Sequence, residues 1–449
     1  MKKEWPQARI AELTTKVGSG ATPKGGETSY QESGTPLIRS MNVVFFGFKR
    51  EGLAFLDDKQ ANALQNVTVK SNDILLNITG ASIGRVTLAP HDLEGARVNQ
   101  HVCIIRPFEC LEPRFLNAYL SSPEVQIQIG SEHYGVTRQA LTKQQILDFQ
   151  IPLPPFAEQK RIADKLDSLL ARVDACRERL DRVPGILKRF RQAVLAAATS
   201  GELTREWREG RGVTLDSWRD TVFEKACTEI TVGYVGKMAE QYQPSGIPFL
   251  RSLNVRPFKF DPREIKYVSR EFHRSISKSA LKPGDVVVVR TGNPGQCCVI
   301  PDSLPEANCS DLVIVRPAAE LDPEFAVIFI NAETSQTFVR SEQVGVAQAH
   351  FNVGSMKKTP LRLPPKAEQA EIVRRVNILL SAADLASSRC ESLRPLVASL
   401  TPASLAKAFR GELVPQDPND EPASELLARI RAAGTEPPAP KRGRKAGAR

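Results

Sequence analysis

"IPLPPFAEQKRIADKLDSLLARVDACRERL" runs from Ile151 to Leu180, and "LRLPPKAEQAEIVRRVNILLSAADLASSRC" runs from Leu361 to Cys390. The two stretches align at an offset of 210, which lays Leu153-Pro154-Pro155 on Leu363-Pro364-Pro365. After the first Pro-Pro pair, Ile162, Leu166, Leu169, Val173, Cys176, Leu180, Val183, Leu187, Phe190 and Val194 recur in alternating steps of four and three. The second copy keeps the phase with Ile372, Val376, Leu379, Ala383, Ala386, Cys390, Leu393, Val397 and Leu400. So long a 3.5-residue repeat is the pattern of a left-handed coiled-coil seam. A pair of buried core helices is the alternative, and the length of the repeat favours the coiled coil. A helix from Ile162 to Ala197 would be ~54 Å long at ~1.5 Å per residue. Pro184 and Pro395 predict a kink or short break in each helix, because an interior proline removes a hydrogen bond. The Ala-rich second seam fits against the bulkier first one, so the two helices are expected to pair within the chain, antiparallel.

The repeat extends outward in both directions. Gly201-Glu202-Leu203 returns as Gly411-Glu412-Leu413, and "EPRFLNAYL" from Glu112 returns as "DPEFAVIFI" from Asp322. "PLIRSMNV" from Pro36 returns as "PFLRSLNV" from Pro248, and Asp73 and Gly80 return as Asp285 and Gly292. The whole chain is therefore a tandem duplication. In each copy, apolar β-rich runs ended by glycine ("DILLNITG", "GDVVVVRTG") precede a helix with proline in its first turn. The expected fold class is α+β: two globular domains separated by two long helices paired as an antiparallel coiled coil, pseudo-two-fold symmetric. The boundaries read as domain one 1–155, helical spacer one 156–200, linker 201–216, domain two 217–365, helical spacer two 366–411 and a mostly disordered basic tail 412–449.

Composition bounds the function. The 449 residues exceed one ordinary core. A net charge of +10 favours a polyanionic partner, although from Thr435 to Arg449 five Lys/Arg face a single Glu and hold part of that excess. The eight cysteines form no C-x-x-C pair and the N-terminus has no apolar leader, which reads as reduced thiols in a cytoplasmic protein. No stretch approaches the ~18 apolar residues of a membrane span.

Two similar domains on a two-helix rod match the local two-fold symmetry of double-stranded DNA. Because the copies differ in detail, the expected target is bipartite and asymmetric, with an unread spacer set by the rod. A two-headed protein–protein scaffold without DNA readout has the same outline.

The motifs "GSGATPKGG", "GTPLIRSMNV", "NDILLNITGASIGRVTLAP", "NQHVCIIRP", "GVTRQALT" and "IPLPPFAEQKRI", in this order and repeated in weaker form, resemble the specificity subunit of a type I restriction-modification system. The resemblance reaches to about Val414. It implies two target-recognition domains and helices that serve as a ruler and as a dock for two methyltransferase subunits. Those subunits would methylate adenine N6 with S-adenosylmethionine, and restriction subunits using ATP and Mg2+ would join them. The second half departs from the pattern: "NITGASIG" becomes "VRTGNPGQ" and Asn99–His101 becomes Cys309–Asp311.

The chain's own motifs point away from catalysis. No Pro-Pro pair has the N/D-P-P-Y/F/W form of an amine methyltransferase loop, no G-x-x-x-x-G-K-[ST] occurs, and five scattered histidines make no metal or triad pattern. No catalytic or metal residue is expected, nor a cofactor in this chain. Base contacts are expected from polar residues in glycine-flanked loops. In domain one these are Thr22, Lys24, Arg39, Asn42, Asn77, Thr79, Arg85, Asn99, Gln100 and Arg138. In domain two they are Arg251, Asn254, Arg256, Lys259, Arg290, Thr291, Asn293 and Gln348. Shared residues such as Arg39/Arg251 and Asn42/Asn254 fit a role in fold or phosphate holding, and copy-specific ones fit specificity. On the helices, Glu158, Gln159, Ile162, Leu166, Leu169, Val173 and Leu180, with Glu368, Gln369, Ile372, Val376 and Leu379, are expected in the seam or in partner docking. The acids near the helix start also suit the positive end of the macrodipole.

Overall fold

The structure, a computed structural model, describes residues 5–23, 25–131, 140–341 and 351–434. Its contacts divide the chain into two units, Met1–Arg179 with Leu393–Arg449, and Leu180–Ser392. Unit one centres on an antiparallel sheet of β1 (Thr14–Ser19), β2 (Ile74–Asn77), β3 (Val86–Leu88) and β4 (Val102–Pro107), in the order β1-β4-β2-β3. Successive side chains of its central strands point to opposite faces. Ile74, Leu76, Cys103 and Ile105 enter a core with Phe115 and Leu116 of the helix Pro113–Leu120. Leu75, Val102 and Ile104 enter another with Leu37 and Val98 of a three-stranded sheet, Thr35–Ile38, Ala54–Leu56 and Arg97–Val98. Both faces are covered, which explains why "ILL" shows no alternation.

Unit two repeats the plan. Strands β5 (Cys227–Val232), β6 (Val286–Val289), β7 (Cys297–Val299) and β8 (Leu312–Pro317) take the order β5-β8-β6-β7. Val286, Val288, Val313 and Val315 enter the core of the helix Pro323–Asn331, and Val287, Leu312 and Ile314 enter the other. The duplication persists at single hydrogen bonds. Buried Asp73 accepts from Lys70 N at 2.7 Å and pairs with Arg106 at 2.6 Å, and Asp285 accepts from Lys282 N at 3.0 Å and faces Arg316 at 3.6 Å.

The long helices are α1 (Phe156–Ser200) and α2 (Lys366–Phe409). Of the expected kink or short break, the break does not occur, since α1 runs through Pro184 and α2 through Pro395 and Pro402. Just beyond them, Gly201 and Gly411 adopt φ of 85° and 67°, the left-handed conformation that closes a helix and favours glycine. Within each unit the helices run antiparallel. In unit one Ile162 and Leu166 share a core with Leu405 and Ala408, and Arg177 Nη2 donates to Thr401 Oγ1 at 3.1 Å. In unit two Val194, Leu195 and Ala198 share a core with Ile372 and Val376, and Arg191 pairs with Asp384 at 2.7 Å.

Most of the expected seam positions are covered. Ile162, Leu166, Val173, Ile372 and Val376 are buried, Leu169, Leu180 and Leu379 are half-buried, and Cys176, Phe190, Leu393 and Leu400 are exposed. Val194 and Ala383 are also buried, and Val183, Leu187, Ala386, Cys390 and Val397 are half-buried, so the covered 4-3 stripe runs from the domain core at each helix root through the middle of each helix.

Three further expectations are corrected. The linker 201–216 is folded: a turn at Glu202–Thr204 leads into a helix Arg205–Glu209, and Thr204 and Arg208 are buried. The tail is ordered through residue 434, with α3 (Ala423–Gly434) placing Leu426, Leu427 and Ile430 in the core of unit one beside Ile10 and Leu13. Asp420 fixes its approach by pairing with Arg161 at 2.6 Å. Residues 435–449 lie outside the described residues.

The third correction concerns Glu158, Gln159, Glu368 and Gln369. All four are 0–1% exposed, so they are internal ties and offer no docking surface. Gln159 Oε1 accepts from Glu112 N at 2.9 Å, and its Nε2 donates to Pro154 O at 2.9 Å. Gln369 Oε1 accepts from Asp322 N at 2.7 Å, and its Nε2 donates to Pro364 O and Glu320 O, both at 2.8 Å. The adjacent glutamates take indole N–H bonds, Trp5 to Glu158 at 3.3 Å and Trp218 to Glu368 at 2.9 Å.

Candidate nucleic-acid interface

In unit one, the chain segments after β1, after β2 and before β4 meet at one edge of the sheet. Gly20 N donates to Asn99 O at 3.1 Å, Ile78 N to His101 O at 2.9 Å, and Leu141 N to Ile78 O at 2.8 Å. The approach at Gly20 is so close that a Cβ there would fall on Val98 O. In unit two, Gly233 N donates to Leu312 O at 2.8 Å, Arg290 N to Asp311 O at 3.4 Å, and Phe351 N to Arg290 O at 3.2 Å. A Cβ on Gly233 would lie 2.8 Å from Cys309 O. The same edge is therefore built twice.

The unit-one edge carries a chain of polar side chains. Thr22 donates its hydroxyl to Gln100 Oε1, Gln100 Nε2 donates to His101 Nε2 at 3.0 Å, and His101 Nδ1 meets Thr79 Oγ1. With Nε2 accepting, Nδ1 carries the proton of the neutral imidazole and donates to the Thr79 hydroxyl. Thr22 and Gln100 are exposed, and Thr79 and His101 are half-buried. Arg85 is exposed, and among the described residues no polar partner meets its guanidinium. The unit-two edge places an acid at the corresponding point. Asp311, at a left-handed φ of 59°, accepts from Thr291 Oγ1 at 3.1 Å and lies 3.9 Å from Arg290. Asn293 is exposed beside them.

Several expected readers are structural. Asn42 is fully buried, accepting from Arg39 N at 2.9 Å and donating to Lys49 O at 2.9 Å. Asn254 repeats this, accepting from Arg251 N and donating to Asp261 O, both at 3.0 Å. Their neighbours close the same loops: Arg39 donates to Gly52 O at 2.6 Å and pairs with Glu27 at 2.9 Å, and Arg251 donates to Glu264 O at 2.8 Å. Asn77 is buried with its Nδ2 on Ser40 O at 2.8 Å, and Asn99 is buried with its Oδ1 taking His101 N at 3.0 Å. A buried amide committed to backbone cannot reach a base edge, so Asn77 and Asn99 are corrected to structural residues, and Asn42 and Asn254 take the role in the fold expected of residues shared by the copies. Arg256 faces Asp261 at 3.6 Å, and Lys259 lines a cavity beside the root of α2 with Glu324 and Asn377. Lys24, Arg138 and Gln348 lie outside the described residues.

His101 and Asp311 were missed as candidates. Their signal was the change from "NQH" to "CSD" between the copies, which marks them together with Asn99 and Gln100. Among the described residues, no group of three or more His, Cys, Asp or Glu could hold a metal ion, and no helix is long and apolar enough to cross a membrane.

The family model of the type I restriction modification DNA specificity domain matches residues 2–184. The chain is 29% identical over 443 residues to the EcoBI specificity subunit of Escherichia coli, covering 93% of this chain and 90% of that protein. To the EcoKI specificity subunit of Escherichia coli strain K12 it is 28% identical, with 95% of each covered. Among solved structures, the HsdS subunit of Thermoanaerobacter tengcongensis superposes with a TM-score of 0.62 at 20% identity, over 92% of this chain and 98% of that one. A chain from a study of assembly and conformational transition of the type I R-M system gives 0.65 at 20% identity, over 92% and 99%. These two likenesses establish the shared fold.

Proposed function

We propose that this chain, which belongs to the type I restriction-modification DNA specificity subunits, reads a bipartite DNA site with its two sheet-edge loop clusters, one half-site to each unit. The observation that carries this is one edge built twice with different chemistry at the same point. His101 with Gln100 offers donors and acceptors together, whereas Asp311 offers a carboxylate. A carboxylate suits the exocyclic amine of cytosine, and a side-chain amide suits adenine, so the half-sites differ. The long helices, shared by both units, set the unread spacer.

The partners in this reading are double-stranded DNA, two methyltransferase subunits and restriction subunits. Adenine-N6 transfer from S-adenosylmethionine belongs to the methyltransferases, and ATP- and Mg2+-dependent work to the restriction subunits; this chain is the non-catalytic reader. Support for docking on the helices comes from Leu393, Leu396 and Leu400 in unit one and Ile378 and Leu385 in unit two. These residues are 45–61% exposed, on faces that a helical partner would cover.

The test compares His101→Ala and Asp311→Ala on a library of randomised duplexes, in complex with the partners. Each variant should relax base preference in one half-site by about 1–3 kcal/mol and leave the other half unchanged. Equal weakening of all sequences would assign the residue to phosphates. Unchanged preference in both variants would overturn the proposal.

A further inference from the structure

We infer that Gln159 and Gln369, with the Trp5–Glu158 and Trp218–Glu368 pairs, are positioning residues that hold each reading domain at a fixed angle on its helix and so restrict the unread spacer to one length. The inference rests on the bipartite reading above and deepens it. Three elements meet at each glutamine: the first turn of the long helix, the Pro-Pro turn before it, and the start of the helix that packs under the central sheet. Both glutamine side chains are fully buried, so water does not readily replace their bonds as the domain pivots, and a change of angle must break them. The indole bonds add a second point of attachment, from the residue just before the domain's first edge strand to the helix. Two separated points remove rotation that one would allow.

The demand on this joint follows from DNA geometry. One added base pair shifts a half-site by roughly 3.4 Å and turns it by roughly 35°. A domain free to pivot at its root could follow such a step, whereas a clamped one cannot. The clamps are also unequal. Glu368 Oε1 accepts from Thr204 Oγ1 at 2.7 Å and from buried Arg208, while Glu158 Oε1 is buried with no partner among the described residues. The chain holds "GELTREWR" in the linker, but at the equivalent place after α2 it reads "GELVPQDP", without the Thr and Arg. The second clamp is therefore the complete one.

The experiment maps methylated bases in cells carrying the methyltransferase subunits with the wild-type chain, Gln159→Leu, Gln369→Leu, Trp5→Phe or Trp218→Phe. The expected result is unchanged half-site bases with a roughly tenfold rise in methylation at sites whose spacer is one base pair shorter or longer, the scale of one lost buried hydrogen bond. A purely structural role predicts a lower melting temperature and less methylation at the native spacer alone, and that outcome overturns the inference. If the leucine variants yield no soluble complex, the phenylalanine pair decides: it keeps an apolar ring and removes the indole N–H together with the five-membered ring that carries it, and a single spacer in both sinks the idea. A wild-type chain that directs no bipartite methylation overturns the bipartite reading itself, and this inference with it.

Discussion

Glu158 and Glu368 occupy equivalent positions and should answer oppositely to the same change. Burial pushes the Glu158 carboxyl above its ordinary value, against the pull of the Trp5 N–H and the Arg161 guanidinium. A group whose folded pKa is raised contributes stability that is complete below its unfolded value and lost as pH rises through the folded one. Glu158→Gln should therefore melt like wild type below about pH 4.5 and become progressively more stable than wild type as pH rises toward neutrality, as read by thermal melts across that range. Glu368→Gln should lose about 3 kcal/mol or more at neutral pH, because Arg208 keeps its buried charge with only neutral partners such as Gly201 O and Thr204 Oγ1. Equal behaviour of the two variants would contradict the assigned contacts. At this scale the sequence was least legible. Asn77 and Asn99 look like readers, being polar and near glycine, yet each spends a side-chain bond on backbone, as the shared Asn42 and Asn254 do. Nothing in spacing or composition separates a buried amide from an exposed one. The difference between copies was a better guide, since it marked the "NQH"/"CSD" positions that hold His101 and Asp311.

The long helices show what periodicity can and cannot tell. The 4-3 spacing gave two helices in register, and the constant offset gave their equivalence. It did not tell a seam from a domain root, because a residue repeating every 3.5 positions meets whatever packs there. Ile162 and Leu166 meet the helix Pro113–Leu120 and α2 in one core, while Leu393 and Leu400 are left 45% and 47% exposed. The prolines interrupt neither helix, because a long helix with packed roots absorbs one missing hydrogen bond. The helix α3 falls within the stretch expected to be a mostly disordered tail, because Pro and Asp flank it and hide that Leu426, Leu427 and Ile430 face a core. A prediction follows for the exposed stripe. Leu396→Asp and Leu400→Asp should change stability by less than about 0.5 kcal/mol, since neither side chain is buried. Capture of the methyltransferase subunit should fall at least about tenfold, as expected for apolar anchors at an interface. Normal capture by both variants would remove this face from the docking surface.

Across the whole molecule, duplication was the most legible feature because it is a relation between residues, independent of their environment. The same strand order, the same Asp–Arg pair and the same Asn clamp recur in both units. Two edges so alike in backbone and so different in exposed chemistry are what a reader of two unlike half-sites requires. In the proposed reading, the positive net charge of +10 supplies the general attraction to phosphate and the edges supply the choice among sequences. The most direct measurement is a map of base modification in genomic DNA from cells with and without this chain, its partner subunits being present in both. The account predicts one bipartite, asymmetric N6-methyladenine motif that disappears with the chain. A map that is the same in both cells would contradict it, and would favour a chain that joins proteins without reading DNA.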